Sequence, residues 1–248
     1  MSEKAKGDTM TTVLVIHAKH LTDRLAHMER QLQDWPGDVT YILNDDKNEL
    51  TDEIINKYFV PGCELYNKSG ATSCAVKHLK ACEYIVSHQL EGALVLEDDI
   101  VLHPHFMENF EKTLEEYHRM YSEMPVLISY EDSSLQFIPR SRRVKGKWLY
   151  EAPLGRVRFT GALYYSNKVA QAILSEVYAN KCNIAIDHYH MNLYRKGVIY
   201  SLWCEPCLAT QGSFTGAFIS SIGGQVRAFE YYRWKLKYVY KRLIYWFR

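Results

Sequence analysis

The sequence predicts an α/β fold with a mostly parallel central sheet flanked by helices, followed by a C-terminal amphipathic helix. Three observations carry this expectation. Short apolar runs rich in β-branched residues recur along the chain, separated by segments whose apolar residues follow helical spacing. One run, residues 93–96 (A-L-V-L), is apolar throughout, as a strand buried on both faces must be. The last 22 residues alternate apolar and basic positions with a helical period.

Residues 12–17 (T-V-L-V-I-H) read as a buried first strand. Thr22 or Asp23 can cap a helix reaching about Gln33, with Leu25, Met28 and Leu32 on one face, and Trp35-Pro36-Gly37 ends it. Residues 39–43 form a second strand before the polar turn Asn44-Asp45-Asp46. Ser69 or Thr72 can cap a helix carrying Val76, Leu79, Cys82 and Val86. Residues 93–96 follow as a central strand, and Phe106, Phe110, Leu114 and Tyr117 mark a helix that ends before Pro125. Residues 126–130 are a further strand, and residues 133–155, rich in Ser, Arg and Lys, read as a hairpin or mobile loop. A strand over 158–165, a helix over 167–178, a helix over 187–195 closed by Gly197 and a last strand over 198–203 complete the body. No internal repeat or low-complexity linker interrupts it, so the organisation expected is one domain, 1–226, with a tail, 227–248.

The chain has 248 residues, 47% of them hydrophobic and 24% charged, which excludes a disordered or collagen-like protein. Its formal net charge of +1 hides a division. Residues 227–248 hold seven bases (Arg227, Arg233, Lys235, Lys237, Lys241, Arg242, Arg248) against Glu230, so the tail is +6 and the rest −5. The polar start lacks a signal-peptide core, and no stretch has the length of a membrane span, so a cytoplasmic location with free thiols is expected. Cys204-Glu205-Pro206-Cys207 admits three readings: a redox pair, half of a zinc site completed by Cys182 with His188 or His190, or two packing thiols near a turn.

The strongest chemical signal is Glu97-Asp98-Asp99 directly after the apolar strand. Ligands of open α/β sheets bind at the carboxyl ends of strands, where these acids lie. Alternation along an extended chain puts Glu97 and Asp99 on one side and Asp98 on the other. Two carboxylates so spaced can share a hard divalent cation, which would bridge a substrate diphosphate. A solvated acidic turn is the plainer alternative.

The run L-V-L-E-D-D-I-V-L-H-P-H-F at 94–106 resembles the D-x-D-type segment of glycosyltransferase family 25, the lipooligosaccharide-biosynthesis glycosyltransferases. Other family elements resemble this chain in the same order: residues 15–24 (V-I-H-A-K-H-L-T-D-R), 69–78 (S-G-A-T-S-C-A-V-K-H), 160–166 (T-G-A-L-Y-Y-S), 185–187 (A-I-D), and Pro206 with Gln211. The likeness spans about residues 12–222; Lys77 stands where the family has Ser, and His17-Ala18 where it has Asn-Leu.

This resemblance implies a GT-A-like nucleotide-sugar-binding fold. It also implies transfer of a hexose, galactose ahead of glucose, from a UDP-sugar to a lipopolysaccharide or lipooligosaccharide acceptor, assisted by Mn²⁺ or Mg²⁺ and with inversion. Glu97, Asp98 and Asp99 would be the donor and metal residues, with Asp99 a direct ligand and His188 a further one. Asp187 is the first candidate for the base that takes the acceptor proton, or else caps a helix; Glu131 and Asp132 are rivals. His78 either turns a ring nitrogen into the site or satisfies a neighbouring carbonyl. Arg24 either contacts the donor phosphates or forms a surface ion pair, and Gly161 either admits the donor closely or relieves packing. A non-catalytic membrane-associated scaffold and a metal-dependent phosphoesterase or nucleotidyltransferase are the alternatives.

In the tail, Phe229, Tyr232, Leu236, Val239, Leu243 and Trp246 fall on one helix face, with Arg233, Lys237, Lys241 and Arg248 on the opposite arc. Nine aromatics in 22 residues exceed what a surface helix needs. The expected partner is an anionic membrane surface, with no nucleic acid, placing the protein peripherally on the inner face of the inner membrane near a lipid-linked acceptor.

Overall fold

The structure, a computed structural model, describes residues 10–215, 218 and 228–247. Its elements are β1 (Thr12–Ile16), α1 (Thr22–Leu32), β2 (Val39–Ile42), α2 (Asp52–Tyr58), α3 (Gly70–Ser87), β3 (Gly92–Glu97), β4 (Ile100–Leu102), α4 (Phe106–Met120), β5 (Val126–Ser129), β6 (Leu149–Glu151), β7 (Ala162–Ser166), α5 (Asn167–Asn180), α6 (Ile186–Arg195), β8 (Tyr200–Cys204), β9 (Ala209–Gln211), α7 (Gly212–Thr215) and α8 (Ala228–Phe247). A seven-stranded sheet has the order β2-β1-β3-β7-β5-β8-β6, and β4 pairs with β9 in a second, two-stranded sheet.

Five strands of the large sheet run in one direction; β7, wedged between β3 and β5, and β6 at the edge run against them. The sheet is thus mostly parallel, but β3 has a parallel neighbour on one side only. Alternate side chains feed two cores. Leu14, Val95, Leu163 and Tyr165 meet α3 and α5 on one face, while Val13, Leu94, Leu96 and Tyr164 meet α1 and α4 on the other.

Several local expectations are corrected. Neither Thr22 nor Asp23 caps α1, whose N-cap is Leu21 without a side-chain bond; at α3 the cap is Ser69, whose side chain accepts from Thr72 N. The short helix α2, capped by Thr51, was not anticipated, although Ile54, Ile55 and Tyr58 follow its period. Residues 133–155 do not form a hairpin, since β6 within them pairs with β8. The Glu116 carboxylate accepts from Trp148 N and Leu149 N and seats β6 against β8. The strand expected from 158 begins only at Ala162, because Arg158 turns inward to donate to the carbonyls of Ser129, Gln136 and Cys204. The strand over 198–203 is not the last, since β9 follows it.

The tail forms α8, and its inward stripe differs from the one the periodicity picked out. Trp234 and Tyr238 pack on Leu135, Phe137 and Cys207. Trp234 Nε1 donates to Ser133 O (3.0 Å), Tyr238 OH to Asp132 Oδ2 (3.2 Å) and Lys241 Nζ to Leu135 O (3.3 Å). Tyr232, Leu236, Val239 and Leu243 of the expected apolar face are exposed, Leu236 by 72%. Lys241, placed on the solvent arc, instead reaches the body. The side chains of Phe229, Trp246 and Arg248 lie outside the described residues.

Candidate active site

The carboxyl ends of β1, β3 and β5 meet at the three acids. Each acid has its own environment, because alternation past the end of β3 separates them.

Asp98 faces β1 and α1. Its Oδ1 accepts from Arg24 Nη1 (2.7 Å), and its Oδ2 lies 2.9 Å from His17 Nδ1 and accepts from Ala18 N (3.1 Å). Burial alone would raise its pKa, but the His17 and Arg24 bonds outweigh burial and hold it below the usual range. Arg24 is only 5% exposed, so the surface ion pair is ruled out; the phenyl ring of Phe218 covers its guanidinium at 5.6 Å.

Glu97 turns the other way. Its Oε1 accepts from Thr160 Oγ1 (2.6 Å) and lies 3.3 Å from His78 Nε2 and 3.7 Å from Cys74 Sγ, while Oε2 is 3.4 Å from Gln211 Nε2. His78 therefore points a ring nitrogen into the site, and its Nδ1 lies 3.1 Å from Tyr165 OH. Burial pushes the Glu97 pKa up; His78 and the Thr160 hydroxyl overcome this and keep it low.

Asp99 starts the turn into β4. Gly212 N donates to its backbone carbonyl, and Arg24 Nη1 is 4.0 Å from Oδ2. Its Oδ1 is buried with no hydrogen-bond partner among the described residues. Burial first, then the charge of Glu97, push Asp99 up to about 6.

Glu131, past the end of β5, is 0% exposed. Its Oε1 accepts from Gly161 N (3.0 Å), and its Oε2 is buried without a partner among the described residues. Burial and the charge of Glu97 raise its pKa to about 8. Such a carboxyl binds its proton more tightly folded than unfolded, so the stability it gives is full below about 4.5 and is lost as pH rises through about 8. Glu131→Gln copies the protonated form. Its melting temperature is expected to fall several degrees less than that of the parent between pH 5 and pH 8, as followed by circular dichroism; equal falls would show that Glu131 is ionised when folded.

Asp187 does not cap α6. Ala185 is the N-cap, and Asp187 Oδ1 accepts from His188 N (2.7 Å) within the first turn. Asp187 and Thr160 line one cleft with His190 and Trp203, and burial raises the Asp187 pKa. The same burial, with the charge of His78, lowers His190 to about 3 and keeps it neutral. His188 is exposed and is fixed only through its backbone. A Cβ on Gly161 would lie 2.9 Å from Gln211 Cγ and from Ile100 Cδ1, so this glycine makes room for the side chain that reaches Glu97. The structure thus gathers Glu97, Asp98, Asp99, Arg24, His78 and Gly161. Thr160, Gln211, Tyr165 and Cys74 lie in segments that carry the family resemblance, but the sequence alone assigned none of them a role in the site.

Cys74, His78 and Glu97 place one ligand atom each within 4.8 Å of one another, the only such cluster among the described residues. Cys74, pushed well up by burial and the Glu97 charge, stays protonated. Glu97 Oε1 is already occupied by donors. By donor chemistry a hard cation suits carboxylate oxygens such as Asp99 Oδ1 and Glu97 Oε2 better than this thiol and imidazole pair. The zinc reading of Cys204 and Cys207 fails: Cys182, Cys204 and Cys207 sit in three separate apolar clusters, and burial raises all three thiols. They are free, packing thiols.

In an α/β sheet of this order, ligands bind at the carboxyl ends of the strands, where the three acids lie. The chain belongs to glycosyltransferase family 25, the LPS biosynthesis proteins, whose sequence profile matches residues 10–189. No curated relative matches the sequence. Two solved structures align at 13% identity. One is a glycosyltransferase involved in glycosylation of the major capsid of PBCV-1 (TM-score 0.38, covering 91% of this chain and 98% of that one). The other is mouse xyloside xylosyltransferase 1 in its apo form (TM-score 0.39, 79% and 73%).

Proposed function

We propose that the protein transfers a hexose, galactose ahead of glucose, from a UDP-sugar to a lipid-linked oligosaccharide of the lipopolysaccharide or lipooligosaccharide type, with inversion. The observation that carries this reading is the buried Oδ1 of Asp99, without a partner among the described residues, beside an ionised Glu97. Two carboxylates that repel one another in a buried space suit a hard divalent cation. Mn²⁺ or Mg²⁺ bound there by Asp99 and Glu97, with His188 as the third side chain, would neutralise the donor diphosphate and the departing UDP.

The chain's own residues do the rest. Arg24 and His17 lock Asp98, which fixes the turn that presents Asp99. Arg24, His78, Glu97, Asp98 and Gly161 form the donor-side wall. Asp187 takes the proton of the acceptor hydroxyl on a carboxylate oxygen; its raised pKa makes it a stronger base than an exposed aspartate.

UDP release measured with Mn²⁺ and a panel of UDP-sugars is expected to be fastest with UDP-galactose. Neither release nor binding of any nucleotide sugar would sink the enzyme reading. Asp187→Asn is expected to lower transfer about 10²–10⁴-fold while leaving donor affinity unchanged; an unchanged rate would assign the base elsewhere.

The same reading puts residues 227–248 on an anionic membrane surface, with the protein peripheral on the inner face of the inner membrane. Its support is the exposed stripe Tyr232, Leu236, Val239 and Leu243 on the helix within this +6 tail. Among the described residues no helix is long and apolar enough to cross a membrane.

A further inference from the structure

Between Asp132 and Glu151 the chain carries five bases (Arg140, Arg142, Arg143, Lys145, Lys147) and no acid. This loop is far from the tail in sequence, but the fold brings the two together. The 3-10 turn Arg140–Arg142 packs against α8. On the strand-side flank, Lys241 Nζ donates to Leu135 O (3.3 Å), and the Arg242 guanidinium lies 5.9 Å from the Phe137 ring centre and 5.1 Å from that of Tyr238.

The loop is anchored at its base and open at its tip. Arg143 Nη2 is 2.8 Å from the buried Glu205, and its Nε donates to Ile138 O (2.9 Å). Val144 N donates to Tyr150 OH (2.9 Å), and the Lys147 ammonium sits 5.3 Å above the Tyr150 ring. Arg140, Arg142 and Lys145 are exposed, and between them Val144, an apolar residue, is 63% exposed at the tip.

We propose that residues 140–147 form the second half of one membrane-docking face with α8: Arg140, Arg142 and Lys145 contact anionic lipid headgroups, and Val144 enters the interface beside Leu236, Val239 and Leu243. This rests on the reading of α8 as a membrane-binding helix. The charge argues for the occupant. Arg233, Lys235, Lys237 and Arg242 of α8 are exposed, and the loop adds its bases to theirs, since Glu205 and Glu116, the acids bonded to residues 133–150 among the described residues, are both buried and partnered. A nucleic acid would match the charge but not the apolar side chains interleaved with it, whereas a headgroup layer accepts both.

The test is co-sedimentation of the full chain with phosphatidylcholine vesicles with and without phosphatidylglycerol. Each base near an anionic surface strengthens binding about fivefold. The triple variant Arg140→Ser, Arg142→Ser, Lys145→Ser is therefore expected to bind phosphatidylglycerol vesicles about 100-fold more weakly, with unchanged circular dichroism. Lys145→Glu alone is expected to weaken binding in the same direction. Binding equal to that of the parent in both variants overturns the proposal. The separate variant Leu236→Ser, Val239→Ser, Leu243→Ser reports on α8. If it loses binding while the loop variants keep it, the loop assignment fails and the α8 reading stands. If neither set matters, or if the parent binds duplex DNA and not vesicles, both fail.

Discussion

Asp99→Asn is expected to reduce sugar transfer by about 10³-fold or more while the fold is retained. The amide matches the carboxylate in shape and can still lie beside Ser213 and Arg24, so nothing in the packing forces a change. What disappears is the negative oxygen Oδ1, which is buried and has no hydrogen-bond partner among the described residues. Isothermal titration should show loss of Mn²⁺ binding, and UDP release should fall with it. In the parent protein an ion bound there would compete with a proton on Asp99, whose pKa stands at about 6. Apparent ion affinity is therefore expected to rise as pH climbs through about 6 and then to level off. Removing one of two repelling charges should also raise the melting temperature of the metal-free variant. Turnover at the parent rate would contradict the metal role.

Arg24→Ala is expected to produce the largest loss of stability, about 3–5 kcal/mol, or a drop in melting temperature of roughly 10 °C. The reason is Asp98. Buried and held ionised, it keeps only His17 and Ala18 N once the guanidinium is gone. Because Asp98 has a lowered pKa, its stabilisation is present above the ordinary carboxylate range and is lost on acidification. The destabilisation by Arg24→Ala should therefore shrink at low pH, where Asp98 is neutral in both states. The double variant Arg24→Met, Asp98→Asn should recover much of the loss, since it leaves no buried charge unpaired. Urea unfolding of the parent, Arg24→Met, Asp98→Asn and the double variant closes the cycle; an Arg24→Ala protein as stable as the parent would mean that water reaches Asp98.

The strands and most helices were legible because burial imposes period and composition on them. Residues 93–96 had to be a buried strand, and the acids that follow had to emerge at its end. Direction was not legible: an apolar run such as that of β7 looks the same whether its neighbour is parallel or antiparallel. The three-residue strands β4 and β9 are too short to show a period. In the site, three consecutive acids announced themselves, whereas the contacts of Thr160 and Gln211 with Glu97 did not, since a polar side chain bonded to Glu97 and one bonded to water have the same sequence. On α8 two stripes compete. Periodicity selected the aliphatic one, while the body took Trp234 and Tyr238, whose rings cover Leu135 and Phe137 and whose polar ends find partners.

The turn at 131–133 faces two ways. Glu131 reaches the backbone of Gly161 beside Glu97, and Ser133 Oγ accepts from the backbone of Gln211, whose side chain meets Glu97. Asp132 and the Ser133 carbonyl are held by Tyr238 and Trp234 of the terminal helix. A chain shortened at residue 226 would uncover Leu135, Phe137 and Cys207 and slacken the support behind the carboxylates, so that a truncation made for ease of handling is expected to be felt in turnover, whatever the tail binds.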